Sequence, residues 1–453
     1  MLKKKTPRAI SLEVLEEVEQ TDHPLDQILT KSFKRYRHLT PLDRAFLTEL
    51  TYGLLRWRNR CDWLISKFSN IPLKEIDTKI LNILRLGFYQ ILFLTKTPVS
   101  AAVNESVNLA KKIKGKKGGG FVNAILRSYL RNKEKISFPD LKKIPTLHIS
   151  IFHSYPCWLI ERWLKELGEE ETLKVCIFNN TIAPLTLRVN TLKIDRDGLM
   201  ERMKMKGLKP FPTKFSDEGI YLVDPSPVSD LPFKKEGLYL VQDEASQLVT
   251  LILDPKPGER ILDACASPGG KTTHISQRMG NKGEIYAIDI SNAKLNVIRR
   301  ICESLGVNIV KTIKGDARMP LPLPNMLKFD RILVDVPCSG FGTIRRNPDL
   351  KWKKQLEDIK RLSQLQFSIL KNLSNYVKEE GILVYSTCTI FREENEEIIE
   401  RFLEQFKEFK LDELQRILPE KLHLYIKDGY FKTFPPQDNM DGFFVARLVK
   451  SRC

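Results

Sequence analysis

The chain has 453 residues, 42% of them hydrophobic, long enough to bury more than one core, because single domains mostly run about 100–200 residues. Lys and Arg number 74 against 56 Asp and Glu, a net charge of +18. The eight cysteines (Cys61, Cys157, Cys176, Cys265, Cys302, Cys338, Cys388, Cys453) lie at least 19 residues apart, which leaves no CxxC zinc or redox pair and argues against a disulfide framework.

The charge is uneven. Residues 1–150 hold 28 basic and 14 acidic side chains, so +14 of the +18 sits in the first third of the chain. A field of that kind is the footprint of a polyanion-binding module, or else a solvated surface that aids solubility. Lys3, Lys4 and Lys5 precede an amphipathic segment where a signal peptide needs an unbroken apolar run. The most apolar stretch, Leu81 to Leu94, is too short to span a bilayer and contains Arg85. These features predict a reduced, cytoplasmic protein with no membrane segment and no metal site, and no oligomerisation signal stands out.

From Arg8 to about Arg131 apolar residues recur at helical spacing, as in Leu47, Leu50, Leu54, Leu55 and Ile80, Ile83, Leu84, Phe88. Residues 1–135 are therefore expected to be an all-helical domain, with helix starts at Thr40-Pro41 and Ser100, and its basic charge suits RNA binding. Lys111, Lys112, Lys114, Lys116 and Lys117 run into Gly118–Gly120, which reads either as a flexible phosphate-binding patch or as an ordinary loop. Pro139, Pro145 and Pro156 mark 136–179 as a helical linker with one helix. Short β-rich runs at Leu185–Val189, Ile220–Val223 and Leu238–Val241, with a helix near Asp197–Lys206, make 180–240 a small α+β domain.

In residues 241–453, apolar runs at Arg260–Cys265, Glu284–Ile288, Ile309–Ile313, Arg331–Val334 and Gly381–Tyr385 alternate with helical stretches. Such alternation predicts a Rossmann-like, mostly parallel sheet wrapped by helices, whose ligands bind beyond the carboxyl ends of its strands. The first run leads into Cys265-Ala266-Ser267-Pro268-Gly269-Gly270-Lys271, a glycine turn that starts a helix. A phosphate-binding P-loop is excluded because Cys265 stands where that motif requires glycine, and no GxGxxG occurs. Asp289 after the second run can accept from ribose hydroxyls, Asp316 after the third from an exocyclic amine, and Asp335 follows the fourth. One such acid is usually a cap or turn former, but three beyond successive strands are hard to explain as caps.

The fourth and fifth strands also deliver Asp335-Val336-Pro337-Cys338-Ser339-Gly340 and Tyr385-Ser386-Thr387-Cys388-Thr389. A lone cysteine after a strand is normally a small buried hydrophobe, and the other six keep that reading. Cys338 and Cys388 stand apart, each in a Pro or Thr turn at the ligand edge. In these motifs the chain resembles the RNA cytosine-C5 methyltransferases. That resemblance implies S-adenosylmethionine as cofactor, Cys388 as the nucleophile that adds to carbon 6 of cytosine, and Cys338 as the thiol that assists release. It further implies cofactor binding by Cys265 to Lys271, Asp289, Asp316 and Asp335. Gln242-Asp243-Glu244-Ala245-Ser246 and Asp441-Gly442-Phe443-Phe444 extend the match over about 180–450, and Ser267 stands where many relatives carry alanine.

Arg8-Ala9, Asp43-Arg44, Tyr52-Gly53 and Phe121-Val122-Asn123-Ala124-Ile125-Leu126-Arg127 resemble NusB, an RNA-binding antitermination factor. A NusB-like domain fused to this catalytic domain resembles the bacterial 16S ribosomal RNA methyltransferases of the RsmB/Sun type. The implied partner is 16S rRNA, free of most ribosomal proteins. Two other readings remain open: the same chemistry on tRNA, or a non-catalytic RNA chaperone or antitermination factor, against which the intact cysteines and acids argue.

Overall fold

The computed structural model describes residues 5–223, 231–324 and 326–452. Lys3, Lys4, Cys453 and part of the predicted α+β domain, 224–230, lie outside the described residues. The chain divides into two compact units, one of residues up to Ile182 with Ile344–Lys353, the other of Ala183–Thr343 with the chain from Lys354 onward.

The first unit is helical: Pro7–Gln20, Leu25–Arg35, Pro41–Phe68, Thr78–Phe93 and Val99–Asn132 surround a core that includes Ile10, Leu47, Leu50, Ile83, Leu84, Phe88 and Leu126. Thr40 and Asp43 close a reciprocal capping box on the third helix, as Thr40-Pro41 predicts. Ser100 is not a cap: the fifth helix begins at Val99 behind Pro98. Nor is the Lys–Gly run a loop. It continues that helix across one break at Lys114 and Gly115, where Gly115 takes φ +65°. Beyond the break a Cβ on Gly118 would fall 2.6 Å from that of Lys114, so the position suits glycine, and packing of Val122, Ile125 and Leu126 overrides weak glycine propensity.

Residues 136–179 carry two helices, Pro145–Phe152 and Cys157–Asn179, where the sequence suggests one. Pro145 occupies the first turn of the former and Pro156 caps the latter, so these prolines start helices instead of marking a linker. Ile344–Lys353 belongs to this unit through buried contacts. The ammonium of Lys351 donates to the carbonyls of Arg56 (3.2 Å) and Ser154 (3.1 Å) and to Asn180 Oδ1 (2.8 Å). The indole N–H of Trp352 donates to Leu55 O at 2.6 Å. Cys61, Cys176 and Cys302 are buried as expected, whereas Cys157 is exposed and Cys265 only partly covered.

The second unit begins with an antiparallel sheet of β1 (Leu185–Val189), β2 (Pro210–Pro212), β3 (Gly219–Leu222) and β4 (Tyr239–Val241), in order β2-β3-β1-β4, beside helix Arg196–Met205. The main sheet contains β5 (Arg260–Ala264), β6 (Glu284–Asp289), β7 (Val310–Lys314), β8 (Phe329–Asp335), β9 (Val377–Thr387), β10 (Phe409–Leu411), β11 (Ile426–Lys427), β12 (Tyr430–Lys432) and β13 (Phe444–Lys450). Its order is β11-β12-β13-β9-β8-β5-β6-β7, with β10 on β13. β9, β8, β5, β6 and β7 are parallel, and β10 to β13 pair antiparallel. β5, β8 and β9 are buried on both faces, which is why they read as continuous apolar runs. The strand order turns at β5, whose neighbours are β6 and β8, so the crevice of this sheet opens at the carboxyl ends of these strands.

Candidate active site

β8 and β9 run parallel with Asp335 opposite Ser386. Cys338, three residues past Asp335, and Cys388, two past Ser386, therefore emerge at the same sheet edge. Their Sγ atoms lie 3.3 Å apart, and the Cys388 backbone N–H donates to Cys338 Sγ at 3.4 Å. Backbone contacts fix this arrangement. Gly342 N–H donates to Cys388 O at 3.0 Å, and Gly442 N–H donates to Gly342 O at 2.8 Å. A Cβ on Gly342 would fall 2.0 Å from Gly442 O and 2.8 Å from Cys388 O, so this approach admits only glycine.

A cavity of about 470 Å³ opens at this edge, lined by Cys265, Ser267, Asp289, Asp316, Asp335, Cys338 and Cys388 among others. Seven of the twelve predicted site residues thus share one wall. Ala266, Pro268, Gly269, Gly270 and Lys271 form the turn behind it: Ala266 N–H donates to Ile288 O, and Gly269, at φ +103°, caps helix Gly270–Arg278. Asp289 Oδ2 accepts from Ser267 N–H at 3.3 Å and its Oδ1 lies 3.5 Å from Lys294 Nζ. A hydrogen bond from Arg318 holds the Asp316 carboxyl below its ordinary range.

Lys271 turns its ammonium to Asp335 at 2.7 Å, and Ser386 Oγ donates to the other oxygen of Asp335 at 2.8 Å. Burial opposes the charge on Lys271, yet Asp335, with Cys388 contributing further, raises its pKa above the ordinary value. The Cys338 thiol is pushed well up, first by its hydrogen bond with Cys388, then by burial and the charges of Cys388 and Glu394. Burial drives Cys265 up to about 12, so it stays a thiol.

Two residues here carry no motif signal. Asp263, buried in β5, accepts from Thr272 Oγ1 at 2.5 Å through Oδ2, while its buried Oδ1 has no partner; burial raises it to about 7. Arg188, buried in β1, donates to Gly270 O (2.5 Å), Thr273 Oγ1 (2.9 Å), Gln277 Oε1 (2.9 Å) and Gln242 Oε1. A charged side chain in a short β-rich run is the sequence flag for it. The cavity and its three carboxylates fit a ligand of nucleoside size that carries hydroxyl and amine donors.

Residues 250–449 match the model of the 16S rRNA methyltransferase RsmB/F family, 5–131 that of the NusB family, and 155–229 the ferredoxin-like domain of RsmF/B-like methyltransferases. The chain is 38% identical to the probable ribosomal RNA small subunit methyltransferase B of Bacillus subtilis, over 99% of this chain and 100% of that one. The chain belongs to this methyltransferase family. Its likeness to the Synechocystis member is 36% identity over 98% and 99% of the two chains. Among solved structures, PH0851 superposes with a TM-score of 0.84 at 28% identity over 98% of this chain and 99% of that one. NSun6 from Pyrococcus horikoshii with SFG gives 0.59 at 26%, over 67% and 100%. As in the family, a helical NusB-like region, a small ferredoxin-like α+β domain and a mostly parallel catalytic sheet follow one another.

Proposed function

We propose that the chain methylates carbon 5 of a cytosine in 16S rRNA from S-adenosylmethionine, through a covalent bond between Cys388 and carbon 6, with Cys338 assisting release. The observation that carries this reading is the 3.3 Å separation of the two sulfurs on a cavity that also presents Asp289, Asp316 and Asp335.

Carbon 5 of cytosine is a poor nucleophile. A Cys388 thiolate that adds to carbon 6 pushes an electron pair toward carbon 5, dividing one hard step into easier ones. The Lys271 ammonium, paired with Asp335, supplies the positive charge at this edge of the sheet. S-adenosylmethionine, when bound, supplies an electrophilic methyl group on a sulfonium sulfur; the Cys265–Lys271 turn with Asp289, Asp316 and Asp335 would hold it, and the relative with SFG, an analogue of that cofactor, supports the choice. Once carbon 5 carries the methyl group, a base removes its proton, the carbon 6–sulfur bond breaks, and its electron pair returns to Cys388. The Cys338 S–H, within hydrogen-bond reach, stabilises the departing thiolate. The target base must leave its stack, which an unpaired loop of RNA free of most ribosomal proteins allows at least cost. The NusB-like region and the α+β domain would hold the RNA in the cytoplasm.

The test is to incubate the full chain with labelled cofactor and protein-free small-subunit RNA, then map the product by bisulfite sequencing. Label on one cytosine of that RNA is expected. Label on tRNA alone, or none, would overturn the reading.

A further inference from the structure

Behind the two cysteines lies a buried dipeptide that no motif identifies. The chain passes through the short turn Arg392–Glu394 and enters helix Glu396–Gln405. Glu394 is fully buried. Its Oε1 accepts from Ser339 N–H at 2.8 Å and from Gln366 Nε2 at 2.9 Å, and its Oε2 accepts from Ser339 Oγ at 2.5 Å. Gln366 Nε2 also donates to Pro337 O at 3.0 Å. Both neighbours of Cys338 in the chain are thereby fastened to one carboxylate, directly or through one amide.

The next residue does the same for the other cysteine. Asn395 Nδ2 donates to Thr389 O at 3.0 Å, and Thr387 Oγ1 donates to Asn395 Oδ1 at 2.5 Å. Those are the two neighbours of Cys388. Ser339 Oγ and Thr389 Oγ1, 2.8 Å apart, join the two halves.

Charge follows the same division. The ionisable groups facing the sulfur pair are Lys271 and Asp335 on the cavity side and Glu394 and Tyr385 behind. Lys271 acts on Cys388, whereas Glu394 acts on Cys338. A cation beside one sulfur and an anion behind the other make two otherwise similar thiols unequal. The opposing influence is the Cys388 N–H donated to Cys338 Sγ, which by itself would favour charge on Cys338.

We propose that Glu394 is a positioning residue for the cysteine pair: with Asn395 it sets the sulfur-to-sulfur distance, and its negative charge keeps the shared proton on Cys338 and the anion on Cys388. This rests on the two-thiol reading above but is measurable without methyl transfer. On the full chain, without RNA or cofactor, iodoacetamide labelling of each cysteine is followed by peptide mass spectrometry from about pH 6 to about pH 9. In the parent protein Cys388 takes the label ahead of Cys338. In Glu394→Gln, which keeps the shape and removes the charge, the pH midpoint for Cys338 falls and the Cys388-to-Cys338 labelling ratio drops about tenfold, the equivalent of one pKa unit. An unchanged ratio in a variant that keeps the parent's melting temperature would overturn the inference. Should that variant not fold, the parent decides alone: equal or reversed labelling of the two cysteines would overturn it too. A protein that labels as expected yet transfers no methyl group to RNA would instead refute the proposed function and leave this inference standing.

Discussion

Asp263 shows how one side chain beside the Cys265–Lys271 turn couples stability to pH. Burial raises its carboxyl to about 7 against an ordinary 3.8, so between those values the folded chain holds a proton that the unfolded chain has lost. Stability then falls as the pH rises from about 4 to about 7, because the native state binds more protons there. Asp263→Asn is expected to remove that component, read as a flatter plot of urea midpoint against pH; an unaltered slope would contradict the assignment. At the sulfur pair, the proposed mechanism makes Cys388 the nucleophile and Cys338 the thiol that eases its departure, so Cys338→Ala should keep the first and remove the second. A slow-migrating protein–RNA complex on a denaturing gel should accumulate in this variant, and its absence would count against Cys338 as the release thiol.

Among the elements, the Gly342 turn is the least forgiving, since it lies against the carbonyl of Cys388 and against Gly442. Gly342→Ala meets backbone on both sides and must displace the end of β9, so it should cost about 1–3 kcal/mol of stability, the range for overpacking, and most of the methyl transfer. A melting temperature and rate equal to the parent's would show that the turn has room. This contact pairs residues 342 and 442, and sequence reading reaches such pairs only by resemblance. What it does reach is local. β5, β8 and β9 are legible because strands buried on both faces read as apolar runs, and Asp335, Cys338 and Cys388 because each closely follows β8 or β9; Asp289 and Asp316 stand at the ends of the more exposed β6 and β7. The Lys–Gly helix is not legible, since glycine propensity predicts a loop where packing of Val122, Ile125 and Leu126 keeps the helix. Pro145 and Pro156 mislead for a related reason: the same residue that ends one segment starts the next. Arg188, Glu394 and Asn395 stay hidden because their partners lie on other elements and no spacing rule points to them.

At the scale of the molecule, the chain leaves the catalytic unit after Thr343 and places Ile344–Lys353 within the helical unit before returning. Trp352 packs on the helical core and Lys351 is fully buried among oxygens. The basic charge also has a place. Lys111, Lys112, Lys116 and Lys117 are exposed on the fifth helix, while Lys114 is paired with Asp77. Changing these four to Gln should weaken RNA binding and flatten its dependence on salt by about 0.7 in the log–log slope for each phosphate no longer neutralised, with cofactor affinity unchanged.

The covalent role of Cys388 is tested most directly by Cys388→Ala in the full chain, assayed for methyl transfer to small-subunit RNA alongside calorimetric titration with S-adenosylmethionine. Transfer should vanish while cofactor affinity stays within about twofold of the parent, a change under about 0.5 kcal/mol. A variant that still methylates carbon 5 of cytosine would contradict the mechanism.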